Sequence, residues 1–256
     1  MNQEQRRVYL IKRLLKENPQ YSEIVIPSDE ESQKLLLRAL FNIRLPKKID
    51  FKFKFIQDQY LKMENAAKGI VETETFPKGI SIWKGDITRL KIDAIVNAAN
   101  SVMTGCYQPN HACIDNAIHT FSGIELRNKC NEMMEKQGHL EATGQAKITP
   151  GYNLPAKYVI HTVGPIVENE VTSEKEDLLR SSYLNSLKLA EANNVKSIAF
   201  PCISTGVFNF PNKRAAEIAY ETVRDYLKQG SKIERVIFNV FKEEDQRIYQ
   251  SLLESR

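Results

Sequence analysis

The chain has 256 residues and a formal net charge of +4, with 42% hydrophobic and 27% charged residues. That length suits one large domain or one domain with an appendage, and the composition is that of an ordinary globular protein. So small a positive charge leaves no basic footprint for tight nucleic-acid binding, and no apolar run approaches the roughly 18 residues of a membrane span.

The first stretch, "MNQEQRRVYLIKRLLKENP", is basic and amphipathic. It carries Glu4 and Glu17, unlike an acid-poor transit peptide, and no signal-peptide apolar core follows. It reads as a first helix, and the chain reads as cytoplasmic. In "PSDEESQKLLLRALFNIRLP", Ser28 with Glu31 three residues on forms a capping-box pattern. Leu35, Leu36, Leu37, Leu40 and Phe41 follow at helical spacing, and Pro46 stops the run. "DFKFKFIQDQYLKME" alternates at Phe51, Phe53 and Phe55, then spaces Ile56, Tyr60 and Met63 helically. That predicts a short extended lead-in before a helix. "KGIVETETFPKG" reads as a linker. Residues 1–77 are expected to form a helical extension packed on the remainder through its Leu and Phe content.

From about residue 80 short apolar runs alternate with helical stretches. The runs are "ISIW" at 80–83, "AIVNAA" at 94–99, "AKIT" at 146–149, "YVIHTV" at 158–163, "SIAFPC" at 197–202 and "RVIFNV" at 235–240. Helices are expected over about 113–137, 174–193, 212–228 and 243–253. The pattern predicts an α/β sandwich over 78–256, with helices on both faces of a largely parallel sheet. Ligands of such sheets bind at the carboxyl ends of the strands. There the loops are polar or carry glycine: "KGDIT", the asparagines Asn97 and Asn100, Gly164-Pro165, and "ISTGVFNFP" ahead of a helix near Asn212. A Ser-Thr-Gly turn before a helix suits a phosphate. Taken singly, Gly206 equally suits a plain turn, and Asp86 a loop cap.

"GCYQPNHACIDNAIH" follows "NAAN" after four intervening residues and puts two of the four cysteines and two of the four histidines into fifteen residues. So few cysteines in so long a chain do not make a disulfide scaffold. Cys106, His111 and Cys113 form a Cys-x4-His-x-Cys pattern whose two thiolates and imidazole suit zinc. Three protein ligands leave an open catalytic position, a fourth from elsewhere would close a structural site, and without metal the cysteines are small buried thiols. Cys113 has no evident general-base partner for nucleophilic work. Cys202, at a strand end, reads as core, Cys130 as packing or surface, and His161 as a hydrogen-bonded core histidine. His119 lies four residues after Asp115, on the same helix face if the segment is helical. His139 carries no signal.

The four segments "GDIT", "DAIVNAAN", "GQAKITPGYNLPAKYVIHTVGP" and "ISTGVFNFP", in that order, resemble the macrodomain family, which binds ADP-ribose. The resemblance covers about residues 80–254. It implies a three-layer α/β/α fold with a mixed, largely parallel sheet. It also implies site roles. Asp86 would accept the adenine amino group beside Ile87, and Asn100 would touch the distal ribose. Ser204, Thr205, Gly206, Val207, Phe208 and Asn209 would wrap the diphosphate, with Phe208 against the distal ribose. Ile114-Asp115-Asn116 stands where common hydrolytic members have Val-Asp-Gly, and the glycines before it have given way to Cys106, His111 and Cys113. That departure resembles the zinc-dependent microbial branch, which carries a helical N-terminal extension and is often encoded beside a sirtuin-type ADP-ribosyltransferase and a lipoyl-carrier protein.

The resemblance therefore implies a hydrolase of mono-ADP-ribosylated protein, a lipoyl-carrier protein being one such substrate, with one zinc near the distal ribose and ADP-ribose as product. Asn100 and Asp115 would be its catalytic residues, Asp115 either taking a proton from water or orienting the substrate. A non-catalytic ADP-ribose reader and a hydrolase of free ADP-ribose derivatives are the alternatives. A pure reader has no need of an acid at Asp115. Neither nucleic acid nor membrane is expected as a partner.

Overall fold

Three helices open the chain: α1 (Gln3–Glu17), α2 (Glu30–Ile43) and α3 (Phe51–Ala67). The computed structural model describes residues 1–21 and 23–254. Helix α1 starts in a capping box between Asn2 and Gln5. Helix α2 starts one residue later than Ser28 predicts. Its N-cap is Asp29, whose carboxylate accepts from the Ser32 N–H at 2.8 Å. An ionised cap also answers the positive end of the helix dipole, which a serine hydroxyl does not.

The extended lead-in before α3 is absent. Asp50 caps the Phe53 N–H at 2.9 Å and the helix begins at Phe51. Phe51 and Phe55 are one turn apart and stack on the exposed side, while Phe53 is buried. Three alternating aromatics fit either period, and the cap decides between them. The three helices enclose a core of their own from Leu10, Ile11, Leu37, Leu40, Phe53 and Leu61, which also takes in Ile124 from the following unit. The expected linker is partly structured: β1 (Val71–Glu72) pairs in parallel with β3 (Leu90–Lys91).

The main sheet has six strands, β2 (Gly79–Lys84), β4 (Ala94–Ala98), β5 (Ala146–Pro150), β6 (Tyr158–Thr162), β7 (Ser197–Phe200) and β8 (Arg235–Val240). Their order is β2-β8-β7-β4-β6-β5, and only β5 at one edge is antiparallel. Alternate residues of each central strand serve opposite faces. Val96, Ile198, Phe200, Val236 and Phe238 meet α6 (Ser173–Ala192), α7 (Asn212–Lys228) and α8 (Glu243–Glu254) in one core. Ile95, Val159, Ala199 and Ile237 meet Ile118, Leu126 and Cys130 in the other.

Those last three residues belong to two helices where one was expected. α4 (Ile114–Ser122) and α5 (Ile124–Gln137) break at Gly123, whose φ is +100°. A Cβ there would come within 2.9 Å of Gln57 Nε2 on α3. The Gln57 carbonyl oxygen accepts from the Ile124 N–H at 2.9 Å, so a side chain of the extension caps α5. No helix among the described residues is long and apolar enough to cross a membrane.

Candidate active site

The parallel strands deliver their carboxyl ends to one edge of the sheet. From that edge emerge the loops holding Asp86 after β2, Asn100 after β4, Gly164 after β6 and Ser204–Asn209 after β7. The chain reverses its winding direction at β4, whose neighbours are β6 on one side and β7 on the other. A crevice opens at such a switch point. β2 lies three strand spacings from β4, about 14 Å, so the crevice suits an elongated ligand.

At the β4 end, Asn97 is fully buried and donates from Nδ2 to Asp115 Oδ1 at 2.8 Å. Asn100 Nδ2 reaches the Gly105 carbonyl at 3.2 Å and Asp115 Oδ2 at 3.5 Å, the outer limit for such a bond. Asp115 sits in the first turn of α4 and is itself buried. Burial pushes its carboxyl up to about 6, against the pull of the Asn97 amide and the Arg127 charge. His119, one turn on, has its Nε2 3.5 Å from Asp115 Oδ1, and neither ring nitrogen has a hydrogen-bond partner. Burial first, then His161 and Arg127, hold it well below its ordinary value, so it is neutral.

Cys106, His111 and Cys113 converge as expected, their ligand atoms all within 4.8 Å of one another and half-buried. Cys106 Sγ lies 3.6 Å from His111 Nδ1. Cys113 is the N-cap of α4, its sulfur accepting from the Asn116 N–H at 3.4 Å. Burial pushes its thiol up to about 12, against that N–H. A protonated thiol is a poor nucleophile, whereas a coordinating one is deprotonated outright. Two soft sulfurs and an imidazole, with no cation among them, are a donor set that fits zinc.

A second Cys/His group, His119, Cys130 and His161, lies wholly buried behind this loop. Asn97 Nδ2 lies 3.2 Å from His161 Nδ1, which makes that nitrogen an acceptor. Nε2 then carries the proton and donates to Thr149 Oγ1 at 2.9 Å. No lone pair of His161 is left for a metal, so it is the hydrogen-bonded core histidine its strand position predicts. Cys130 is fully buried, and Cys202 packs against the larger core from a partly buried position.

The loop after β7 doubles back on itself. Phe210 N–H donates to the Ser204 carbonyl and Asn209 N–H to that of Gly206, both at 3.0 Å, with left-handed backbone at Ser204 and Asn209. Ser204 Oγ is buried without a protein partner, and it lies so close to Gly164 that a Cβ there would stand 2.1 Å from it. Thr205 is half-buried, Gly206 and Val207 are exposed, and Phe208 is half-buried and bonded to Val167 through its carbonyl. At the β2 end, Asp86 Oδ1 accepts from Thr88 N–H and Oγ1, and Ile87 is buried.

Lys68, at the end of α3, donates to Asp86 Oδ2 at 3.1 Å and to Thr88 Oγ1 at 2.6 Å, with its Nζ 3.1 Å from the centre of the Phe121 ring. Burial alone would raise the Asp86 carboxyl, but Lys68 and Thr88 outweigh it and hold it below its ordinary value. Sequence reasoning does not place Lys68 in the site, because a lysine at a helix end carries no local signal beyond its polarity; Asn97 stands out at the strand end, but not as the partner of Asp115.

The Macro domain family model matches residues 96–219. A protein-ADP-ribose hydrolase of Treponema medium is 51% identical over 260 residues, which span 99% of this chain and 100% of that one. Among solved structures, a Trypanosoma brucei macrodomain in complex with ADP-ribose superposes with a TM-score of 0.66 at 30% identity, over 90% of this chain and 100% of the other. An Oceanobacillus iheyensis macrodomain with ADP superposes with a TM-score of 0.63 at 40% identity, over 68% of this chain and 89% of its own.

Proposed function

The chain belongs to the Macro domain family, and from that premise we propose that it is a hydrolase releasing ADP-ribose from mono-ADP-ribosylated protein. The observation that carries the reading is one hydrogen-bond path. It runs from Asn97 through Asp115 to Asn100, and on to the carbonyl of Gly105, the residue before Cys106. It ties a buried acid to the loop of metal donors at the switch point of the sheet. The match to a protein-ADP-ribose hydrolase along almost its whole length supports the same reading.

In this reading Asp86 takes the adenine amino group beside Ile87. The 204–209 turn, with the unpartnered Ser204 hydroxyl, takes the diphosphate, and Phe208 lies against the distal ribose. Asn100 orients the ribose hydroxyls. Asp115, raised to about 6 by burial, takes a proton from the attacking water, a task suited to a carboxyl near the working pH. Cys106, His111 and Cys113 would hold one zinc ion, which supplies Lewis-acid polarisation and a lowered water pKa when bound. The substrate class is a protein modified by a sirtuin-type ADP-ribosyltransferase, a lipoyl-carrier protein first among them.

The test is release of ADP-ribose from a mono-ADP-ribosylated lipoyl-carrier protein by the full chain, with and without a chelator and with metal content measured. Asp115→Ala is expected to lose about 10²–10⁴ in rate. Equal rates in both chelator arms, after confirmed metal loss, overturn the zinc role. Tight ADP-ribose binding with no release from any modified protein makes the chain a reader instead.

A further inference from the structure

The loop Cys106–Cys113 makes little use of its own backbone. Among the described residues it pairs with itself once, His111 N–H to the Gln108 carbonyl at 3.3 Å. Side chains supply the rest. Arg127 Nη2 donates to the Cys106 carbonyl at 3.2 Å, and Asn116 Nδ2 to the Gln108 carbonyl at 3.0 Å. Asn42 Oδ1 accepts from the Asn110 N–H at 3.0 Å, and Arg38 Nη2 donates to the His111 carbonyl at 3.1 Å. Two of these four anchors come from α2, and they fasten the segment that carries the histidine. Asn110 itself has left-handed backbone, φ +55°, so the bond to its N–H holds a conformation that costs energy.

Arg38 and Asn42 stand one turn apart, so they share a face of α2. The Arg38 fork also closes on Asn116 Oδ1, at 3.1 Å from Nε and 2.8 Å from Nη2, while Asn42 Nδ2 donates to Thr120 Oγ1 at 3.0 Å. Arg127 locks the far end of the same helix to the start of the loop. Its Nη1 donates to the carbonyls of Phe41, Asn42 and Arg44, at 3.1, 2.6 and 2.7 Å. Those are carbonyls that a helix end leaves unpaired, and a cation is favoured there. Packing α2 on α4 does not require this chemistry. Apolar side chains at 38 and 42 would bury as well, without polar groups that must each find a partner. The partners they do find are atoms of the loop and of the helix that Cys113 caps.

We propose that α2 is a working part of the site. Arg38 and Asn42 are positioning residues that hold the Cys106–Cys113 loop in the shape that converges its three donors, and losing either loosens the loop and weakens its hold on zinc. The inference rests on the zinc reading above.

Two measurements on the full chain test it. One is amide hydrogen exchange across residues 106–113 in metal-free protein. The other is zinc affinity by competition with a chromophoric chelator. Arg38→Met and Asn42→Leu are expected to speed exchange in the loop and to weaken zinc binding by about 10- to 100-fold, as losses around metal ligands do. Arg38→Lys keeps the charge without the fork and covers the case in which Arg38→Met does not fold; it is expected to weaken binding less. Ile11→Val, a core truncation in α1 that removes none of the loop's side-chain anchors, is expected to change neither quantity. Loop exchange unchanged in the Arg38 variants, or zinc affinity unchanged, overturns the proposal, as does an equal change in Ile11→Val. A wild-type chain that takes up no zinc overturns the zinc reading, while exchange in the loop still decides whether Arg38 and Asn42 hold its shape.

Discussion

Asp86 lies just past the end of β2 and Asp115 in the first turn of α4, and their surroundings treat the two carboxylates oppositely. Asp86 meets Lys68 and the Thr88 N–H and hydroxyl, and stays ionised well into acid. Asp115 meets two amides in a buried setting and titrates near neutrality. In the proposed site the first serves as a steady acceptor and the second as a group that takes and returns a proton. Asp86→Ala is accordingly expected to weaken ADP-ribose binding by about 10- to 100-fold, the value of a hydrogen bond to a charged group. Calorimetric titration reads this directly, and an unchanged affinity removes adenine from Asp86. "GDIT" marked Asp86 from the sequence, but nothing in "AAKGI" marked Lys68, eighteen residues before it, as its partner.

Helix ends are where sequence pattern and structure part company. The apolar spacing runs without interruption through Ile118, Phe121, Ile124 and Leu126, so periodicity alone predicts one helix across Gly123. The break follows from a third element. Gln57 on α3 occupies the space beside Gly123 and caps Ile124, and the backbone there takes a φ of +100°. Gly123→Ala is expected to cost more than about 1 kcal/mol, because a side chain is disfavoured at that φ. Gln57→Ala is expected to cost about 1 kcal/mol as a lost cap. Urea unfolding of the two variants checks both, and a Gly123→Ala protein as stable as wild type means that the break is not needed. A similar competition moved the cap of α2 from Ser28 to Asp29, since two adjacent residues both carry capping side chains.

For the molecule as a whole, the helical extension is joined to the sheet unit by apolar and polar contacts together. Phe53 is buried in its core, and Phe53→Ala is expected to cost about 3–5 kcal/mol in the same unfolding assay. Acid is a second probe of the whole molecule. His161 is held down to about 3 by burial, and His119 well below its ordinary value. The unfolded chain protonates both near 6.5 and the folded chain does not, so their contribution is complete above about 6.5 and is lost as pH falls. Asp115 runs the other way, since its raised folded value favours the protonated folded state until pH rises through about 6. Two histidines against one carboxyl leave a net loss between pH 6.5 and 5 of at most about 1.4 kcal/mol per pH unit. Urea midpoints of the metal-free chain across that range are expected to fall, and a flat or rising midpoint contradicts the neutral burial of the histidines.

The sequence by itself determined the strand and helix alternation, the carboxyl-end loops and the likeness of "GDIT", "NAAN" and "STGVFNF" to one family. It also marked the Cys-x4-His-x-Cys spacing. Each single element or motif among these is written within about twenty consecutive residues, where periodicity and turn chemistry act. What only the tertiary structure decided is what surrounds those residues. Arg38 and Asn42 reach Asn116 and Thr120 across 78 positions, Arg127 reaches Asn42 across 85, and Lys68 reaches Asp86 from another helix. A polar side chain on an amphipathic helix reads as solvent-facing until the packing of that helix buries it, and only then does its partner become a matter of geometry.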